Sequence, residues 1–208
     1  MMRLTFLLLL HFSTSIILYG QKVDTVINTG VYKSYFSYGI KAPLYVTYRL
    51  FKGGGPCDRK KQGFHFRQDG IQFTSKSSDY IRSKFEKGHL ANAEDFAFDC
   101  LKQEITFRFY NCFPQTLKLN RGTWKNWETL IRKESQKRSL FIIAGGIYSK
   151  RFIGSQVGVP DYCYKIVLDS KTKKILHCII FKNDNSNIYS NISLLQLKRK
   201  LKYPLVSK

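Results

Sequence analysis

The sequence has few acidic residues. Its 208 residues include 14 Asp and Glu against 35 Lys and Arg, which gives a formal net charge of +21. A chain this basic is expected to meet polyanions, such as nucleic acid, anionic glycans or an anionic membrane surface. Charge alone does not choose among these partners, and many basic proteins simply carry a solvated cationic surface.

The chain also lacks internal repeats, long linkers and the composition of a disordered protein. Hydrophobic residues make up 43% of it and aromatic residues 15%, which is typical of a folded chain. Its length suits one domain with a sizeable core.

The first twenty residues differ from the rest. Arg3 precedes an apolar run that begins at Leu4, and the small residue Gly20 follows at a plausible cleavage point. This pattern predicts a secretory signal peptide over residues 1–20, a single domain over residues 21–208 and a secreted or periplasmic location. A membrane anchor is less favoured, because His11 and the serines after it interrupt a run already near the minimum span of ~17–20 residues.

The cysteines lack the short C-x-x-C spacing of a zinc site. Five are present: Cys57, Cys100, Cys112, Cys163 and Cys178. An odd number leaves at least one thiol outside any intramolecular disulfide, and an exported chain permits disulfides. Cys163 and Cys178 lie at equal distances from a turn near Ser170, so a cross-strand disulfide between them is sterically plausible. Cys57 with Cys100 is our guess for another pair.

Strands outnumber helices in the hydrophobic pattern. Alternating or buried apolar runs predict strands at residues 44–51, 104–109, 140–145, 162–168 and 175–181. Pro114 is expected to end the second of these ladders. A helix is predicted over residues 121–136 with Asn120 as its N-cap, and a short helix over 193–200. Because strands and helices do not alternate regularly, we expect an α+β fold with a largely antiparallel sheet.

Three polar residues could form a site. Asn120 and Glu128 lie eight residues apart on the predicted helix, about 12 Å along it and offset by about 80°, so both can face one side. With His89 on a facing strand, their oxygens could hold a hard cation such as Mg²⁺ together with water. A histidine can take a proton from an attacking water, and Lys87 and Arg121 would suit a phosphate.

Each residue also has an ordinary structural interpretation. His89 alone would more often be a packing or surface histidine. Asn120 alone is, at roughly three to one, more often a simple N-cap than a ligand. Glu128 alone is usually a solvent-facing helix residue. Judged from residue types alone, two interpretations therefore stay open. The three residues form one site, or each has an ordinary structural role.

Five sequence elements in order bear on that choice. They are EKGHLANAEDF at residues 86–96, NCFPQ at 111–115, LNRGTWKNWE at 119–128, IIAGG at 142–146 and VPDYCYK at 159–165. Over about residues 40–182 this order resembles the DNA/RNA non-specific endonuclease family, whose signature reads Asp-Arg-Gly-His. The chain departs from that signature at Glu86-Lys87, and at Asn92, where proline is usual.

The resemblance implies a ββα-metal (His-Me finger) nuclease fold, with a mainly antiparallel sheet and a metal-bearing helix. It implies that His89 is the general base that activates water. Asn120 would be the sole direct protein ligand of Mg²⁺, for which Mn²⁺ can substitute, and Glu128 would orient the waters of the metal. The implied products carry 5′-phosphate ends.

The resemblance also implies roles around that centre. Lys87 would keep the phosphate role of the usual arginine, as a point charge in place of a two-pronged contact. Asn111 and Gln115 would shape and brace the site, and with Arg121 they are our candidates for substrate contacts.

The expected substrates are DNA and RNA, bound through their backbone phosphates. The positive charge can bind phosphate without reading bases, and no base-reading motif is present, so little sequence specificity is expected. The alternative is a secreted basic protein on the same fold that binds nucleic acid or another polyanion and is catalytically weak because of Lys87. A toxin with a cognate inhibitor ranks lower. We expect no membrane anchor.

Overall fold

The computed structural model describes residues 21–205. The signal peptide predicted over residues 1–20 lies outside the described residues. Within them, no helix is long and apolar enough to cross a membrane.

Within residues 21–205, nine strands form a large sheet and a separate ribbon. The sheet has seven strands in the order β1-β2-β3-β6-β7-β8-β9, with every neighbouring pair antiparallel. The strands are, in chain order, β1 Thr25–Asn28, β2 Lys33–Ser37, β3 Ala42–Leu50, β4 Phe85–His89, β5 Cys112–Thr116, β6 Leu140–Ile153, β7 Val157–Asp169, β8 Ile175–Lys182 and β9 Tyr189–Asn191. Together with the helices below, this gives the predicted α+β class with a mostly antiparallel sheet.

The ribbon is formed by β4 and β5, which pair antiparallel with His89 opposite Cys112. A helical unit follows β5 directly, as α2 (Leu117–Leu119), a π-helical turn (Asn120–Trp124) and α3 (Lys125–Ser135). Gly122 interrupts the unit with non-helical backbone angles, φ −103° and ψ −113°. Two antiparallel strands and a kinked helix therefore form one continuous ββα unit.

Two further short helices complete the described part of the fold. Helix α1 (Cys100–Ile105) begins where the Asp99 side chain accepts hydrogen bonds from two backbone amides of its first turn. Helix α4 (Leu194–Lys200) begins with a capping box formed by Ser193 and Gln196. Single 3₁₀ turns lie at Ser77–Tyr80, Ala93–Phe96 and Phe109–Asn111.

Asn183 fixes the ribbon to the large sheet. Its buried amide donates to the Pro114 carbonyl of β5 at 2.9 Å and to the Pro160 carbonyl of β7 at 2.8 Å. Its carbonyl oxygen accepts from the Thr116 backbone amide at 3.0 Å. All three bonds are buried, so breaking them would leave unpaired polar groups at a cost in free energy. This cost holds the ββα unit in register with the sheet.

Several predicted elements are confirmed. The structure has strands across residues 44–50, 140–145, 162–168 and 175–181, and a helix from Leu194 with Ser193 as its cap. The strand predicted over 104–109 is wrong, because the Asp99 cap starts a helix that runs to Ile105.

Pro114 does not end a ladder as expected, because it lies inside β5, opposite Lys87. Its carbonyl points to Asn183, away from β4. In an antiparallel pair the N–H and C=O of one residue face the same side. The missing N–H of Pro114 therefore costs the ribbon no hydrogen bond.

The predicted N-cap at Asn120 is also wrong. The N-cap of the helical unit is Thr116, four residues earlier, whose side chain accepts from the backbone amide of Leu119. Asn120 lies inside the unit, which frees its side chain for other contacts.

One of the two disulfide guesses is confirmed. Cys57 is bonded to Cys100, whereas Cys163 and Cys178 are buried free thiols. The register places Cys163 opposite Phe181 and Cys178 opposite Ile166. Because Cys163 and Ile166 are three residues apart on one strand, the two sulfur atoms lie on opposite faces of the sheet and cannot meet.

We predict that replacing both Cys57 and Cys100 by serine lowers the free energy of unfolding by about 2–4 kcal/mol, because the disulfide closes a 43-residue separation in the unfolded chain. Urea denaturation measures the change. Reductant should destabilise the wild type by a similar amount and leave the double variant unchanged. Equal stability of the oxidised wild type and the double variant would contradict this.

Candidate active site

His89 ends strand β4 against an aromatic wall. Its ring centroid lies 4.6 Å from that of Phe66 and 4.8 Å from that of Phe107. Its backbone carbonyl accepts a hydrogen bond from the Trp124 indole at 3.2 Å. The residue as a whole is half-buried, but Nε2 is enclosed and has no hydrogen-bond partner among the described residues.

Burial, and then the positive charge of Arg59, lower the pKa of His89 to about 3. Desolvation disfavours the imidazolium, and so does a nearby cation. The imidazole is therefore neutral near pH 7, which is the form that can accept a proton.

Gln115 and Asn111 brace the histidine strand from inside. A side chain at Gly88 would collide with the Gln115 amide, so only glycine fits there. The Asn111 amide donates to the carbonyls of Ala91 (2.9 Å) and Thr106 (2.8 Å) and accepts from the Ala91 amide (2.9 Å). Asn111 and Gln115 are both fully buried. The expectation that they contact substrate is therefore corrected, because neither has a surface to offer it, whereas their geometry suits the bracing role.

Asn120 and Arg121 both contact the carboxylate of Glu86. Asn120 Nδ2 donates to Glu86 Oε2 at 2.9 Å, and the Arg121 guanidinium forms a two-pronged ion pair with the same carboxylate. An ionised carboxylate can only accept hydrogen bonds, so it holds the NH₂ of Asn120 toward itself. Asn120 Oδ1 then faces away from Glu86. An amide oxygen held in this orientation suits a hard cation.

Arg121 is exposed over 68% of its side chain, but its guanidinium is committed to Glu86. The pair leaves Arg121 less free for substrate than the sequence indicated. In the sequence, Glu86 stands out only as a departure from the family signature. Its contact with Asn120 was missed because it depends on how the helix lies across β4, which no local pattern records.

Glu128 is buried within α3 and does not face solvent. Its Oε1 lies 3.6 Å from the ammonium of Lys165, a fully buried lysine on β7. Burial raises the pKa of Glu128, while the charges of Lys165 and Arg132 oppose that rise. The straight-helix geometry expected for Asn120 and Glu128 does not apply, because the interruption at Gly122 lies between them.

A second buried pair lies beside Glu128. Arg132 on α3 is 3.2 Å from Asp95, which also accepts a hydrogen bond from the Tyr48 hydroxyl at 2.9 Å. Burial raises the pKa of Asp95 to about 7, and Arg132 partly offsets this. Two acids and two cations thus share one buried region behind the site, which the sequence pattern did not reveal.

Lys87 projects from β4 two residues before His89, so the two side chains share one face of the ribbon. Its ammonium lies 5.8 Å from the ring centroids of Phe66, Tyr80 and Phe109 and donates to the Ser77 hydroxyl at 3.2 Å. Within residues 21–205 it has no carboxylate partner. Its charge is therefore available to an anion near His89.

The donor set suits a cation that keeps most of its waters. In the described part of the chain, no group of three or more His, Cys, Asp or Glu side chains is placed to hold a metal ion. A site here would use a single amide oxygen, which is compatible with the coordination habit of Mg²⁺.

The fold and the arrangement of its polar residues define a class. An antiparallel ribbon that carries a neutral histidine, followed by a kinked helix with an oriented asparagine oxygen, is the ββα-metal architecture. A family model for DNA/RNA non-specific endonucleases matches residues 15–202, a wider span than the sequence motifs covered. The chain belongs to that family.

Individual relatives agree with this. A nuclease of Nostoc sp. is 37% identical over 92 residues, which cover 43% of this chain and 33% of that protein. The mitochondrial nuclease of Saccharomyces cerevisiae is 33% identical over 132 residues (54% and 40%), and zebrafish (Danio rerio) nuclease EXOG is 29% identical over 113 residues (48% and 33%). The matched region thus spans a third to two-fifths of these relatives.

A solved structure shows the same fold. EndoG, in a complex with EndoGI, superposes with a TM-score of 0.75 at 22% identity, over 86% of this chain and 84% of that one.

We predict that the ring of His89 stays neutral from pH 8 down to pH 5, because burial and Arg59 hold its pKa near 3. Replacing Arg59 with alanine removes a cation, so the pKa should rise toward the ordinary value without reaching it. NMR titration measures this, with the His89 signal assigned by its loss in His89→Ala. Protonation near pH 6.5 in the wild type, or no change in Arg59→Ala, would contradict the assignment.

The same shift affects stability. The unfolded chain binds this proton near pH 6.5 and the folded chain only near pH 3. The contribution of His89 to stability is therefore intact above pH 6.5 and is lost progressively as the pH falls toward 3.

Proposed function

We propose that the protein is an exported, Mg²⁺-dependent endonuclease that hydrolyses phosphodiester bonds of DNA and RNA with little sequence preference and leaves 5′-phosphate ends. The observation that carries the proposal is the pairing of a neutral His89, whose Nε2 has no hydrogen-bond partner within residues 21–205, with an asparagine oxygen that Glu86 orients on the adjoining helix. A proton acceptor and a cation ligand are the two groups that attack on a phosphodiester needs.

His89 takes the proton of the attacking water in this mechanism. The Trp124 hydrogen bond to its carbonyl and the packing of Phe66 and Phe107 fix the ring before substrate arrives. A low pKa makes imidazole a weak base, but a bound phosphate would offset the charge of Arg59 and raise the pKa of His89. The base would therefore strengthen when substrate is present.

Asn120 Oδ1 would hold the cation, with Glu128 supporting the helix that carries it. A bound Mg²⁺ supplies charge neutralisation at the scissile phosphate and at the departing 3′ oxygen. Lys87 adds a cation on the face of the ribbon that carries His89, and Arg59 adds another close to the histidine. Arg121 acts mainly by holding the Glu86 carboxylate in place through their ion pair.

Charge and composition support a broad substrate range. A net charge of +21 favours contacts with backbone phosphates that DNA and RNA share, and such binding weakens as salt rises. The curated relatives that are named nucleases are matched over less than half of their length, so the polymer preference is part of this proposal.

Export is supported by two independent observations. A disulfide such as Cys57–Cys100 is typical of proteins in an oxidising compartment, and one arginine followed by an apolar run is typical of a secretory leader. Several relatives are named mitochondrial, but transit peptides are rich in arginine and amphipathic, unlike residues 1–20.

We predict that the purified protein degrades supercoiled plasmid and RNA with Mg²⁺ and stops when EDTA is added. His89→Ala should reduce cleavage by about 10²–10⁴-fold, because the proton acceptor is lost. His177→Ala is the matched control, since His177 pairs with Glu134 on the far part of α3 and should leave cleavage within about twofold.

Two outcomes would contradict the proposal. Cleavage that persists in EDTA would reject the metal requirement, and cleavage that persists in His89→Ala would reject His89 as the base. A wild type that retards plasmid on a gel but leaves it uncut with every divalent ion would favour the binding protein, for which the exchange to Lys87 is the expected cause.

A further inference from the structure

Lys165 is a lysine in a place where lysines are rarely found. It lies in the middle of β7, opposite Ala144 on one neighbouring strand and Ile179 on the other, with no exposed surface. Burying an ammonium group costs several kcal/mol unless it is paired. An apolar side chain of similar length would fill this position at lower cost, so packing alone gives no reason for a charge here.

The ammonium contacts two groups, and both belong to the candidate active site. It lies 3.6 Å from Glu128 Oε1 and 3.8 Å from the centre of the Trp124 ring. At that distance from an indole ring, a desolvated cation–π contact is strongly favourable. Glu128 lies on the helix of the ββα unit, and Trp124 closes the π turn that starts at Asn120.

Trp124 extends the contact to the histidine strand, because its indole N–H donates to the carbonyl of His89 at 3.2 Å. The Lys165 ammonium therefore contacts Glu128 on the helix directly. It is linked to His89 on the ribbon through the Trp124 ring. Among the charges facing this region, Asp95 and Glu128 balance Arg132 and Lys165, and Arg132 is already paired with Asp95. Glu128 thus depends on Lys165 for its closest counter-charge.

We propose that Lys165 is a positioning residue of the active site, whose charge sets the placement of Glu128 on the helix and of Trp124 beneath His89. This inference rests on the proposed nuclease function. Because Lys165 is fully buried, it cannot touch a polymer, so its loss should change turnover and leave polymer binding nearly intact.

Lys165→Met tests this, because methionine keeps an unbranched apolar chain and removes the charge. We expect kcat on plasmid DNA to fall at least about tenfold at saturating Mg²⁺, with less than about threefold change in KM, because Lys165 would position the helix and the histidine without touching the polymer. The matched control is Lys182→Met on the adjacent strand β8, where the lysine is 47% exposed and pairs with Asp184. It should leave kcat within twofold.

A double-mutant cycle with Glu128→Gln separates positioning from general destabilisation. If Lys165 acts through Glu128, the double variant should be no slower than Glu128→Gln alone. Lys165→Met leaves the buried Glu128 carboxylate without its counter-charge and could therefore fail to fold. The double variant removes both charges, so its kcat can still be compared with that of Glu128→Gln. A kcat of Lys165→Met within twofold of wild type, a loss confined to KM, or a fully additive double variant would each overturn the proposal.

A second readout does not need activity. The chain has two tryptophans, so Trp127→Phe leaves Trp124 as the only indole. In that background, removing the cation above the ring with Lys165→Met should shift the fluorescence maximum of Trp124, and Lys182→Met should not. If the wild type cuts no nucleic acid, the proposed function fails, and this measurement alone decides whether Lys165 sets the environment of Trp124. An unchanged spectrum rejects it.

Discussion

The carboxylate of Glu86 is the interaction on which the arrangement of the site depends. It projects from the ribbon and accepts hydrogen bonds from Asn120 and Arg121 on the helical unit, so one side chain joins the two parts of the ββα motif. Because the carboxylate can only accept, it also fixes which end of the Asn120 amide faces outward. Without it, the amide could rotate and the cation ligand would be lost without any change of fold.

The kink at Gly122 allows two residues of the helical unit to contact strand β4 at once. The interruption lets Asn120 face Glu86 while Trp124, four residues later, packs under the ribbon and bonds to the carbonyl of His89. The helix then continues inward, where Glu128 lies in the core and requires the counter-charge of Lys165. The side of the motif that carries Glu86 and Asn120 is thus polar. The opposite side packs against a buried cluster of two acids and two cations.

Local patterns predicted what local forces determine. The alternation in β3, the apolar start of β6, the β7–β8 hairpin and the short C-terminal helix are all set by neighbours in sequence, and the structure confirms them. The strand predicted at 104–109 failed because one cap at Asp99 outweighed β propensity. Glu86, Lys165 and Asp95 could not be assigned, because their partners lie more than thirty residues away and depend on register and helix direction. The ordered motifs singled out His89 and Asn120, whose catalytic and metal-binding roles stay predictions. The direct-contact role given to Asn111 and Gln115 failed, because burial is not visible in a motif.

Divalent-ion binding measured without any reaction tests the account most directly. Mn²⁺ titrated into the protein in the presence of an uncleavable phosphorothioate oligonucleotide can be followed by the loss of the free-ion EPR signal. We expect one bound ion, binding abolished in Asn120→Ala, and affinity lowered about 10–100-fold in Glu86→Gln, with Glu134→Gln on α3 as an unaffected control. Binding that is equal in all four proteins would show that the cation, and with it the mechanism, lies elsewhere.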